Sequence, residues 1–461
     1  MLSVQSNPPP LQSTSTGNEK AVEDVEVSRS TQPVELTQLQ KCILDNQRFI
    51  LDTVNLVKVM NKVFGKKEPD ASLRKPDNFD ALPEPEKYES LSQLVRRLDV
   101  YFHQSPILRE EQGKIVERWN AIEQTEVIEN LSDAAKNELR SALEPLRTAD
   151  SEPLDFNEQS ALLFPGAAIP RMHLRPKFAI AQNSDNKLPG LLLCNGSSRT
   201  MGDVDKLQDA TSNDRLYKRM GELVKEFKTT LGSTATETHA QMALMDMLRM
   251  ADQKSDQKSD QKSDQKSEEI SEEISEEISE EISDQKSQQT CFLNKQTIYV
   301  TYTGEVQFFQ QSLQEDGKYT LNLNEKNIIT GRPNTEATMV SALNALELLP
   351  GPTPGDIVLV SNQPHIRAQQ IATERVVANR GYNNDYSPIT IRACGDECSL
   401  TSSKDLFLAI DSARKAIQLL NPDYHVTTNW VKAPEWKLFE SRKAGEWQLY
   451  KPEQPPLELL V

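Results

Sequence analysis

One tract decides what kind of core this chain can build. Between residues 297 and 432, β-branched apolar runs alternate with runs of helical period. Thr297-Ile-Tyr-Val-Thr-Tyr-Thr303 ends at Gly304 and has the composition of a buried strand. A shorter run, Lys318-Tyr-Thr-Leu-Asn-Leu323, follows the turn signal Asp316-Gly317. Glu336 to Leu349 then reads as a helix stopped by Pro350-Gly351-Pro352. Asp356-Ile-Val-Leu-Val-Ser361 reads as a second buried strand feeding a helix near Asn362. A later helix, Ser403 to Leu420, precedes an expected strand from Tyr424 to Lys432. Strands alternating with helices at this spacing predict an open α/β sheet.

The order of these elements resembles the ribonuclease H fold over about residues 292–450. Ala345-Leu-Glu-Leu-Leu349, Ile357-Val-Leu-Val-Ser361 and Asn362-Gln-Pro-His-Ile366 look like the family's central helix, fourth strand and following helix. Asp405-Leu-Phe through Asn429-Trp-Val-Lys432 looks like its late helix and last strand. The resemblance implies four carboxylates holding two divalent metals across a scissile phosphate. Carried over position by position, the first-strand Asp falls on Thr303, the helix Glu on Thr338 and the fourth-strand Asp on Asn362. No Asp follows Trp430. Neutral oxygens are poor ligands for hard cations, which favour carboxylates. The resemblance therefore implies a catalytically dead module, with no catalytic residues, metal or cofactor.

Glu305, Glu336 and Glu347 lie near those positions without occupying them. A two-residue slip along a helix turns a side chain by ~200°, which would aim Glu336 away from such a site. A nuclease with displaced carboxylates is the catalytic alternative.

Charge points the same way. Residues 291–461 carry 16 Lys and Arg against 19 Asp and Glu, and the whole chain has a net charge of −17. That balance opposes strong nucleic-acid or anionic-membrane binding. No stretch has the apolar length of a membrane span. The first residues lack the pattern of a secretory signal, and five scattered cysteines suit a reducing compartment. An intracellular protein, cytoplasmic or nuclear, is expected. Cys394-Gly-Asp-Glu-Cys398 lacks the ligand count of a zinc site.

The rest of the chain reads as follows. Residues 1–33 are disordered in composition, and 34–65 form an amphipathic, coiled-coil-like helix. Leu36, Ile43, Ile50, Val57 and Phe64 fall seven apart, a stripe suited to a partner helix. Self-association and burial in a bundle both satisfy it. A linker at 66–87 leads to a helical region, 88–148. Residues 149–212 show no clear period, and 213–251 form a helical pair whose methionines are packing residues. Nine tetrapeptides fill 252–287, with a −8 Glu-Glu-Ile-Ser block at 268–283. On a helix, this period sets like charges at i, i+4, costing about 0.2–0.5 kcal/mol per pair. An acidic linker over 252–290, helical at most in part, is expected before the α/β domain at 291–461. The layout suggests a non-catalytic interaction or scaffold protein with a protein partner or self-association. A polymerase cofactor of the viral phosphoprotein type shares this layout.

Overall fold

The computed structural model describes residues 37–65, 73–75, 78–105, 122–146, 154–183, 187–202, 206–207, 209–261, 292–351, 354–379, 389–396 and 400–452. Residues 1–33, Leu36, Cys398 and the repeats beyond Gln261 lie outside that set, as do residues 106–121 of the helical region expected over 88–148.

The strands in chain order are β1 (Ser160–Phe164), β2 (Leu191–Asn195), β3 (Ile298–Thr303), β4 (Val306–Phe309), β5 (Gln311–Leu313) and β6 (Tyr319–Leu321). They continue with β7 (Ile328–Gly331), β8 (Asp356–Asn362), β9 (Thr390–Asp396), β10 (Trp430–Lys432), β11 (Trp436–Ser441) and β12 (Trp447–Leu449). The helices begin with α1 (Gln38–Asp45), α2 (Gln47–Val63), α3 (Glu84–Gln104), α4 (Ile122–Glu129), α5 (Asp133–Leu143) and α6 (Ile169–Gln182). Then come α7 (Ala210–Glu226), α8 (Lys228–Leu231), α9 (Glu237–Gln261), α10 (Thr335–Leu348), α11 (Ile366–Asn379) and α12 (Ser403–Leu420).

The central sheet has seven strands in the order β12-β11-β3-β2-β1-β8-β9. The five from β3 to β9 are mutually parallel. β11 runs antiparallel to β3, and β12 antiparallel to β11. The alternation of side chains divides the core between two faces. Leu162, Phe164, Leu192, Cys194, Val300 and Val358 pack against Met172 of α6, Met220 of α7 and Met242 and Met245 of α9. Ala161, Leu163, Leu193, Ile357 and Leu359 share the other core with α10, α11 and α12. Met242 and Met245 of α9 are therefore packing residues, as expected, whereas Met250 of the same helix is 44% exposed and is not.

The structure differs from the sequence reading at 149–212, which supplies the two innermost strands. Ser160-Ala-Leu-Leu-Phe164 and Leu191-Leu-Leu-Cys-Asn195 contain no β-branched residue. They are strands because helices bury them on both faces, a setting that asks for continuous apolarity rather than β propensity. The sheet thus draws strands from both sides of the repeats and is not confined to 291–461. The run at 318–323 lies outside this sheet, pairing as β6 with β5. Of Tyr424–Lys432 only β10 is strand, in a small sheet ordered β10-β4-β7. The helix of 213–251 continues through two Asp-Gln-Lys-Ser units, to Gln261.

The amphipathic stripe finds its partner inside the chain. Ile43, Ile50 and Val57 are fully buried in the core they share with α11 and α12, and Phe64 is half-buried beside it. Burying such side chains is worth about 1.5–3 kcal/mol each. Those three are covered and cannot also form an intermolecular seam. Two buried polar residues along this stretch are accommodated locally: Asn46 Nδ2 donates to Cys42 O at 2.7 Å, and Thr53 Oγ1 to Phe49 O at 2.8 Å. All described residues belong to one compact unit, Thr37–Val461.

Candidate functional site at the carboxyl edge of the sheet

Open parallel sheets present ligand sites where strand order reverses, outside the carboxyl ends of the strands. Here the order reverses at β1, so the crevice lies between the ends of β1 and β8. Arg175 of α6 fills it. The side chain is 1% exposed, with Nε donating to Asn362 Oδ1 at 2.7 Å and Nη2 to Ser361 Oγ at 3.4 Å. Nη1 donates to the carbonyls of Pro165 and, at 3.3 Å, Gly166. Burial, aided by the charge of Arg171, lowers its pKa to about 9, against the opposing pull of Glu237 and Asp396. It remains a cation at neutral pH. Asn362 Nδ2 donates in turn to Asp396 Oδ1 at 3.1 Å.

A second buried charge lies beyond the ends of β1 and β2. Glu237, the first residue of α9, accepts from Ser197 Oγ at 2.5 Å and faces Arg199 Nε at 3.7 Å. Burial raises its carboxyl, while Arg199, the Ser197 hydroxyl, Arg175 and Arg332 pull it back. A Cβ at Gly166 would stand 2.6 Å from the Glu237 carboxyl carbon and 2.7 Å from Asn195 O. Only glycine lets the β1–α6 loop pass so close. Gln241 Nε2 reaches Phe164 O at 3.4 Å and Arg199 Nη2 reaches Ala167 O at 2.8 Å, so α9 is sewn onto the strand ends.

The positions suggested by the ribonuclease H resemblance do not converge. Thr303 Oγ1 donates to Ser341 Oγ at 2.8 Å, and Thr338 Oγ1 to Thr335 O at 2.9 Å. Asn362 is bound to Arg175 on another part of the edge. β2 and β1 separate β3 from β8, three interstrand steps or roughly 14 Å at ~4.8 Å each. Two metals that share one phosphate lie about 4 Å apart. Strand order, as well as side-chain identity, therefore opposes a two-metal centre at these positions. Of the displaced acids, Glu305 and Glu347 are exposed, while Glu336 is buried with Lys415 Nζ 3.0 Å from its Oε1. Burial disfavours the Lys415 ammonium, but Glu336 and Tyr424 outweigh it and raise its pKa. This pair holds α10 to α12 and presents no free amine. Among the described residues, no group of three or more His, Cys, Asp or Glu could hold a metal ion. None of their helices is long and apolar enough to cross a membrane.

Arg175 and Glu237 were not singled out from the sequence. Arg175 did leave a signal, since it shares the inward face of α6 with Ile169, Met172, Pro176 and Ala179. A charge among core positions requires a specific set of partners. Glu237 left none, because acids are ordinary in the first turn of a helix. No family model, curated protein or solved structure matches this chain.

Proposed function

We propose that this protein is a non-catalytic interaction protein in which an α/β body serves as a scaffold. The observation that carries the reading is the occupied crevice. Where a parallel sheet would receive a substrate, Arg175 spends its donors on Pro165, Gly166, Ser361 and Asn362. Glu237 is likewise committed to Ser197 and Arg199. The likeness to a ribonuclease H module that has lost its carboxylates is one of element order along the chain only, because the sheet keeps Thr303 and Asn362 apart, and the reading rests on the crevice. The burial of Ile43, Ile50 and Val57 favours partners that dock elsewhere than on that stripe, and weighs against a polymerase cofactor assembled through it.

The test is Mg²⁺ and Mn²⁺ titration into the full chain by calorimetry, followed by incubation with an RNA/DNA hybrid. No binding heat and no cleavage are expected. Cleavage abolished by EDTA would overturn the proposal and return the chain to the metal-dependent nucleases.

A further inference from the structure

Asp99 is fully buried on α3. Asn421, in the turn after α12, donates from one Nδ2 to Asp99 Oδ2 and to Gly317 O, both at 2.9 Å. Gly317 is the tip of the β5–β6 hairpin and lies against the α3 backbone: a Cβ there would be 2.5 Å from Arg96 Cβ. Arg96 Nε is 2.6 Å from Asp423 Oδ2. The hairpin and the turn together meet α3 over one turn, at Arg96 and Asp99.

Among the described residues, a histidine faces Asp99 at contact distance. His103 Nδ1 is 3.1 Å from Asp99 Oδ1 and 2.9 Å from Asp99 O. The Tyr319 ring of β6 packs on the imidazole at 6.4 Å between centroids. From α12, Arg414 opposes the imidazolium, while Asp411 holds Arg414 at 2.9 Å. Lys415 and Glu336 pair with each other behind Tyr424. Asp316 and Lys318 form an exposed pair in the hairpin turn.

We propose that the β5–β6 hairpin and the turn after α12 form a strap whose grip on α3 is set by the charge of His103. A neutral imidazole still donates from Nδ1, so its deprotonation does not break that hydrogen bond. What it removes is the positive charge beside a buried carboxylate. Burial disfavours the imidazolium, but the hydrogen bond and charge of Asp99 outweigh it and hold His103 above its ordinary range. For a histidine raised in this way, the stabilisation is complete below about pH 6.5 and is lost as pH rises through the shifted value. The strap is tight in mild acid and slackens toward alkaline pH.

Hydrogen exchange on the full chain, corrected for intrinsic rates, tests this between about pH 6 and pH 8. Protection over 84–104 and 311–321 should fall several-fold at the higher pH, while β1 and β2 keep theirs. His103→Lys, which stays charged, should hold protection high at both values. His103→Gln should give the alkaline level at both. Equal wild-type protection at the two pH values would overturn the proposal, as would a pH response that survives in His103→Gln.

Discussion

The carboxyl edge of the sheet and the α3 strap are both buried polar networks, joined to their surroundings in different ways. At the edge, a guanidinium is held by two backbone carbonyls, an amide and a hydroxyl, and a carboxylate by a hydroxyl and a second arginine. At the strap, a carboxylate is held by an amide and one histidine. Arginine keeps its charge throughout the physiological range, whereas histidine sheds its charge within it. The edge is thereby a fixed joint between α6, α9 and four strand ends. The strap is a joint whose strength depends on conditions.

The comparison breaks most visibly at Arg175. Arg175→Met keeps much of the volume but leaves the Pro165 and Gly166 carbonyls without their guanidinium donor and Glu237 and Asp396 with less counter-charge. Removing one member of a buried charged network costs about 3–5 kcal/mol. Urea denaturation should show a shift of that size, and Arg175→Lys should recover only part of it, because an ammonium cannot reproduce the planar fork. A loss below about 1 kcal/mol would mean the crevice is plastic rather than plugged.

At the strap the expected loss is smaller. Gly317 has φ +81°, a conformation side chains resist, and its missing Cβ makes room for Arg96. Gly317→Ala should cost about 2 kcal/mol, from left-handed backbone strain of roughly 1–2 kcal/mol plus the displacement of α3. Hydrogen exchange should place the loosening at the hairpin and α3, with the sheet unaffected. Global loosening would show that the strap and the sheet unfold as one.

How much of this was legible in the sequence depends on how each element is specified. β3, β8, α10 and α12 announced themselves, because β-branched runs and helical period are local properties. β1 and β2 did not, since Ala161, Leu162, Leu192 and Leu193 suit a helix as well as a strand and only neighbours decide. The stripe through Ile43, Ile50 and Val57 revealed its need for a partner but could not say whose surface would meet it. Thr303, Thr338 and Asn362 showed the absence of acids at those positions. The spatial separation of Thr303 from Asn362 depends on β1 and β2 being inserted between their strands, a pairing between segments more than a hundred residues apart. Glu237 stayed hidden for the same reason, because it becomes a core residue only once α9 is laid across the strand ends.

The finest test compares how the two networks respond to protons. Both Glu237 and His103 have raised pKa values, so each favours folding more at low pH than at high pH, from windows that open at different ordinary values, about 4.3 for the carboxyl and about 6.5 for the imidazole. For Glu237 the window opens near the ordinary carboxylate value of about 4.3 and extends upward to its raised one. There the folded state retains a proton the unfolded chain has released, so stability falls as pH rises, by at most about 1.4 kcal/mol per pH unit for one site. Glu237→Gln keeps the shape and can still accept from Ser197, but it cannot titrate. Its stability profile should lose that descending slope, and the variant should gain on the wild type as pH climbs through the window. The response that His103→Gln removes should stay. If Glu237→Gln flattened both windows, the edge and the strap would be one coupled titrating system, and the contrast between a fixed joint and an adjustable one would fail.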